Sequence, residues 1–187
     1  CPYDPIFVHF GGSAPGKAAV ANRGLDNVDG LIYGTTIFYK DAERAQNRGV
    51  EHSYFIDSAG IAAVAEKRGY SFEGDPVPPL EISQEQITPD EKISSIYVKF
   101  SGYTNDQFDY NPDTGLYEKQ RKGRPHIDAD TGTVLTFANV IVLSTNITSY
   151  DGGDLREVAL NGGEGWFFTG GGMENITWSK NSYAEQF

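Results

Sequence analysis

The sequence predicts an α+β fold, mixed in its first half and strand-rich in its second, and three observations carry that prediction. Residues 59–68 hold the clearest helical pattern, with Ile61, Ala62, Val64 and Ala65 on one stripe, Asp57 or Ser58 as the cap and Gly69 as the stop. From residue 93 to residue 178 helical period almost vanishes, and short apolar runs alternate with turn chemistry. Between these regions, residues 74–90 contain four prolines and no period, which reads as an extended connector. The expected organisation is an α+β part over residues 1–90 with a β-rich part over residues 91–187 packed on it.

Taken in order, residues 6–10 are apolar apart from His9 and end at Gly11-Gly12, so they read as a buried strand. Lys17 to Arg23, between Pro15 and Gly24, predicts a short helix. Leu31 to Tyr39 predicts a strand region broken at Gly34, and the charged segment Lys40 to Glu51 a surface loop. In the second half, Ile93 to Phe100 predicts a strand with Ile96, Val98 and Phe100 on one face. Asn111 to Gly115 reads as a hairpin turn between strands at 108–110 and 116–118. Val134 to Leu143 is the longest apolar run and predicts a central strand. Leu155–Leu160, Gly165–Phe168 and Asn175–Trp178 complete a meander, with turns at Asn161-Gly162, at Gly162 to Gly165 and at Gly170 to Gly172.

Composition removes several function classes. The 187 residues carry a net charge of −11, with 39% hydrophobic and 13% aromatic residues and a single cysteine. The negative charge is spread over both halves and no Lys/Arg cluster exists, which argues against nucleic acid, whose phosphates need a basic face. No window approaches the run of roughly 18–20 apolar residues that spans a bilayer. One cysteine excludes an intramolecular disulfide and a Cys-based zinc cage. Cys1 itself admits three readings: a lipidated cysteine, an N-terminal nucleophile exposed by self-cleavage, or an ordinary residue where the chain starts. A core-like strand begins five residues later, where a lipidated cysteine would be followed by a polar tether, and this favours the last.

Glycine-rich segments do not amount to a phosphate cradle. Gly11-Gly12-Ser13-Ala14-Pro15-Gly16-Lys17 lacks the Gly-Lys-Ser/Thr ending, and Pro15 removes a backbone donor. Asp128-x-Asp130-Thr131-Gly132 repeats the turn pattern Asn111-x-Asp113-Thr114-Gly115; its glycine comes one place early for a calcium loop, so both read as hairpin turns. Chemistry therefore rests on three histidines. His9 sits in a predicted core strand, and His52 follows the charged loop at 41–44. His126 stands two residues before Asp128, which puts them on one face of an extended strand. Such a pair could act as a general base with its orienting acid, or as two metal ligands.

These segments together resemble the YerB-like family of bacterial lipoproteins, classed as a domain of unknown function. The resemblance is carried by Ile6-Phe-Val-His-Phe-Gly-Gly-Ser13, by Phe38 to Arg44 through His52, by Tyr117 with Gly123-Arg-Pro-His-Ile-Asp128, Thr131-Gly132 and Asn139 to Val142, and by Gly163-x-Gly165 with Thr177-Trp178-Ser-Lys180. It implies a layered α/β sandwich of two β layers and one α layer. It further implies an envelope protein outside the cytoplasmic membrane, held there by a lipidated cysteine far upstream. In the family a further stretch with its own strands precedes the Phe-Val-His-Phe strand. Cys1 accordingly falls inside the domain, and the membrane tether is absent from this chain. The family's second histidine follows Arg-Pro, whereas His52 follows Gly49-Val50-Glu51.

The resemblance gathers His9, Ser13, Arg44, His52, His126, Asp128, Asn139, Trp178 and Lys180 into one candidate cleft. It supplies no reaction, because the family has no assigned activity. The expectation is a non-catalytic envelope module that binds a wall glycan, a peptide or a protein partner, with no cofactor. The alternative is a metal-dependent or His–Asp hydrolase of wall material that uses His9, His52, His126 and Asp128, with His126 and Asp128 as the nearest to a metal pair. Self-cleavage before Cys1 is a third reading.

Overall fold

The computed structural model describes residues 5–74, 87–150, 152–153 and 156–180. Cys1, Leu155 and most of the proline-rich connector lie outside the described residues. The fold is mixed α+β, and the chain divides into two compact units, Cys1–Pro79 and Leu80–Phe187.

In the first unit, strand β1 (Phe7–His9) leads through Gly11-Gly12 into helix α1 (Ala14–Asn22) and back to β2 (Asn27–Asp29), which pairs parallel with β1. Parallel strands need such a crossover, so β1–α1–β2 is a βαβ unit. Helix α1 starts earlier than expected, because Pro15 falls in its first turn, where a missing N–H costs nothing. Ser13 caps it, its Oγ accepting from Gly16 N–H at 3.2 Å. β1 is less buried than its composition suggests, and Phe7 and Phe10 stay 45% and 37% exposed.

The expected strand at 31–39 does not form. Asp29 caps a helical turn, α2 (Gly30–Tyr33), and a 3₁₀ turn follows over Gly34–Thr36, with Gly34 at φ +52°. The chain becomes extended again only at β3 (Tyr39–Lys40). The expected loop at 40–51 contains helix α3 (Ala42–Asn47), capped by Asp41, and a 3₁₀ turn over Val50–His52. β4 (Tyr54–Phe55) pairs antiparallel with β3. Helix α4 (Ser58–Arg68) ends on left-handed Gly69 as expected, with Asp57 as its cap at 2.7 Å. Val28, Phe38 and Val64 form the core, at most 4% exposed. Each such side chain contributes roughly 1.5–3 kcal/mol of burial.

The second unit starts with β5 (Glu91–Lys92), β6 (Ser95–Lys99), β7 (Asn105–Asn111) and β8 (Leu116–Arg121). The hairpin turn between β7 and β8 is the expected one, with Asp113 N–H on Asn111 Oδ1 and Gly115 at φ +72°. β9 (Arg124–Pro125) and β10 (Thr136–Phe137) join β8, giving a sheet ordered β10-β8-β7-β6 with β9 beside β8. The apolar run at 134–143 is therefore two strands. After Ala138 it continues as β11 (Asn139–Leu143), which belongs to a different sheet.

β12 (Ile147–Ser149) and β13 (Arg156–Val158) form their own ladder, whereas β14 (Gly162–Thr169) and β15 (Gly172–Ser179) complete the order β11-β14-β15-β5. The glycines at 162–165 lie inside β14 rather than at a turn. They keep its backbone bare where the Val142 and Ser144 carbonyls press against it; a Cβ on Gly165 would sit 2.6 Å from the Val142 oxygen. The two larger sheets share one core, Ile96 and Tyr117 from the first meeting Val140 and Phe168 from the second.

Candidate functional site

In the first unit the parallel register sets His9 opposite Asp29 at the carboxyl ends of β1 and β2. The His9 ring is nearly buried, with Nδ1 at 2.7 Å from the Gly11 carbonyl and 3.9 Å from Asp29 Oδ1. A carbonyl only accepts, so this bond assigns the proton to Nδ1. In the neutral ring, Nε2 is then an acceptor, buried and without a partner among the described residues. Asp29 Oδ1 accepts from Gly11 N–H and from Leu31 N–H, each at 2.9 Å. Burial works to raise the Asp29 pKa, but those two bonds and the charges of His9 and Lys17 outweigh it, so the carboxyl is held below its ordinary value.

A cavity of about 430 Å³ opens between β1 and α1, walled by Phe7 and His9 on one side and Gly16, Lys17, Ala19 and Val20 on the other. It exists because α1, with Gly16 and four alanines, offers little bulk and buries none of its residues. Ser13 lines the same cavity.

Phe10 links this loop to the segment that carries the next two candidates. Its ring stacks on Tyr54 at 4.4 Å and meets Phe38 edge-on at 5.5 Å. Two residues before Tyr54 is His52, whose carbonyl accepts from Arg44 Nε at 3.1 Å. The Arg44 guanidinium lies 5.4 Å from the Phe55 ring centroid, and Phe55 stacks on Tyr39 at 5.7 Å with the planes 20° apart. His9 and Ser13 thus flank the short loop between β1 and α1, Arg44 bonds the His52 carbonyl, and Phe10 ties the two segments together.

In the second unit, His126 follows β9. Its N–H donates to the Lys119 carbonyl and its carbonyl accepts from Leu135 N–H, both at 2.9 Å, while Nδ1 is buried without a partner among the described residues. Asp128 is committed to its own turn: Oδ1 accepts from Asp130 N–H at 3.2 Å and from the N–H and hydroxyl of Thr131 at 2.8 Å. The Thr131 backbone and hydroxyl bonds hold its pKa below the ordinary value. No hydrogen bond or ion pair among the described residues joins His126 to Asp128. Nor do the described residues contain a group of three His, Cys, Asp or Glu close enough to hold a metal.

Asn139 opens β11 opposite Thr169, whereas Trp178 sits opposite Gly163, six residues away along β14. That is about 20 Å at roughly 3.4 Å per residue, so these two do not meet. The Trp178 indole N–H reaches the carbonyls of Ser144 and Glu164, at 3.4 and 3.2 Å, and Lys180 N–H donates to the Asn161 carbonyl at 3.2 Å.

Comparison with known proteins agrees with this architecture. Residues 96–187 match a family model described as the C-terminal domain of a protein of unknown function, DUF3048. A curated relative from Bacillus subtilis strain 168, "Putative lipoprotein YerB", is 23% identical over 184 residues. The crystal structure of the YerB protein from Bacillus subtilis superposes with a TM-score of 0.77 at 21% identity. The chain is a YerB homologue. The YerB match covers 95% of this chain but 54% of the curated relative and 59% of the crystallised chain. The chain therefore spans about half the length of the curated relative that it matches. The likeness to the crystallised YerB is one of overall fold, and YerB's name describes a lipoprotein without stating an activity.

Asp29, Tyr39, Tyr54 and Phe55 complete the first unit's site, and sequence reasoning had not picked them out. Asp29 carried one usable signal, as the acidic residue directly before Gly30 that could cap the turn after it.

Proposed function

We propose that this chain is part of an extracytoplasmic cell-envelope lipoprotein and acts there as a non-catalytic module that binds cell-wall material. The envelope placement rests on homology to a protein named a lipoprotein. No described helix is long and apolar enough to cross a membrane. The binding role rests on one observation. Phe10, just past the carboxyl end of the parallel β1–β2 pair, stacks on Tyr54 of β4, and on the other face of the β3–β4 ladder Tyr39 and Phe55 stand exposed with the Arg44 guanidinium over Phe55. Open α/β sheets place ligands at that end, and exposed aromatic and Arg side chains are the usual anchors of recognition.

Co-sedimentation of the chain with purified bacterial sacculi tests this reading. Saturable retention is expected, and it should weaken in a Gly12→Trp, Tyr39→Ala double variant, since both residues are exposed and neither belongs to the core. No retention, or equal retention of the variant, overturns it.

A second reading is hydrolysis of wall material with His9 as base. It is favoured by the Nδ1 bond to Gly11 and the nearby Asp29 charge, which orient the ring as an orienting acid does in catalytic sites. It requires release of soluble fragments from sacculi, abolished by His9→Asn. Retention without release rejects it.

A further inference from the structure

We propose that Tyr39, Phe55 and Arg44 form a subsite for a sugar ring that carries a carboxylate, which rests on the wall-binding reading above and names its ligand class. Tyr39 and Phe55 are a direct cross-strand pair, so both rings stand on one face of the β3–β4 ladder. They remain 55% and 36% exposed. Phe55 is engaged by Tyr39 and by the Arg44 guanidinium, so the platform is the more exposed Tyr39 ring, whose negative face accepts the positive C–H hydrogens of a pyranose.

Arg44 supplies the second element. Its Nε–H is committed to the His52 carbonyl at 3.1 Å and its plane lies over Phe55. That leaves Nη1 and Nη2, with four N–H donors, without a partner among the described residues. A guanidinium fixed at Nε and open at both Nη atoms matches a carboxylate bidentately, and here it stands beside an aromatic platform.

Charge decides between anions. The chain carries −11 overall, so a polyanion such as nucleic acid is repelled, while a ring bearing one carboxylate meets the one guanidinium without that cost.

The test is a titration of the intact chain, followed by NMR, with three probes. N-acetylmuramic acid has ring and carboxylate, N-acetylglucosamine has the ring alone, and acetate has the carboxylate alone. Shifts at Tyr39 and Arg44 should saturate with the first, with the second and third each about tenfold weaker or more. Arg44→Lys, which keeps the charge but loses the fork, and Tyr39→Ala should each weaken the first probe by about tenfold. Both side chains are exposed, and unchanged amide spectra elsewhere will show that each variant folds. Equal binding of the two sugars, acetate binding as tightly as the acidic sugar, or indifference to both substitutions overturns the proposal. Sacculus retention that survives any of these results leaves the wall-binding reading standing; loss of retention removes that reading instead.

Discussion

The Phe10 ring lies 4.4 Å from that of Tyr54, with the two planes 24° apart. This contact joins residues 44 positions apart in sequence and sets the loop after β1 against the segment from Tyr39 to Phe55. Behind it, Gly30 has no room for a side chain: a Cβ there would fall 2.6 Å from Phe10 Cε2.

Phe10→Ala is expected to cost about 2–3 kcal/mol, below the ~3–5 kcal/mol of a fully buried Phe→Ala because the ring is 37% exposed. Urea unfolding measures it. The same variant should lose wall binding before it loses structure, since the two segments it joins would no longer hold one arrangement.

Asp29 makes stability depend on pH in a defined direction. Its folded pKa lies below the unfolded value of about 3.9, so the unfolded chain takes the proton first as the solution is acidified. Its contribution is complete at neutral pH, begins to fall near pH 4 and is lost as pH drops through the folded value. Asp29→Asn should therefore lower the urea midpoint more at pH 7 than at pH 3. Asp109 is lowered too: burial raises it, but donors from Ser95, Gln107 and Gln120 outweigh that. Asp109→Asn should follow the same pattern.

Tyr117 is fully buried and its hydroxyl accepts from Gly171 N–H at 3.2 Å. Tyr117→Phe leaves that buried N–H without its acceptor, for an expected cost of about 1–3 kcal/mol in urea unfolding. Wall binding by the first unit should not change.

Asp128 separates a turn role from a chemical one. Asn can accept the same bonds from Asp130 and Thr131, so Asp128→Asn should preserve the slow hydrogen exchange of the Thr131 amide, while Asp128→Ala should accelerate it. If both variants retain full wall binding, Asp128 serves the turn alone.

Much of the fold was legible where local chemistry and tertiary structure agree. Helix α4 carried a cap, an apolar stripe and a left-handed glycine, and the Asn111–Gly115 turn carried its own side-chain acceptor. Leu31 to Tyr39 misled because β-branched and aromatic residues imitate a strand, whereas the Asp29 cap winds the segment into a turn of helix. The run at 134–143 gave no sign that it changes sheets at Ala138, since burial on either sheet asks for the same residue types. Among the candidate residues, His9 and His52 stood out as two of three histidines, whereas Ser13 and Arg44 were reached only through the family resemblance. Asp29 could not be named, because its place opposite His9 is fixed by a parallel register that only the crossover through α1 creates.

The most direct test of the central claim is a residue-by-residue map of amide shifts in the intact chain on titration with soluble fragments of digested bacterial cell wall. The account predicts saturable shifts concentrated at Gly11–Ser13, Tyr39–Arg44 and His52–Phe55. No saturable shift, or shifts confined to residues 126–180, would contradict it.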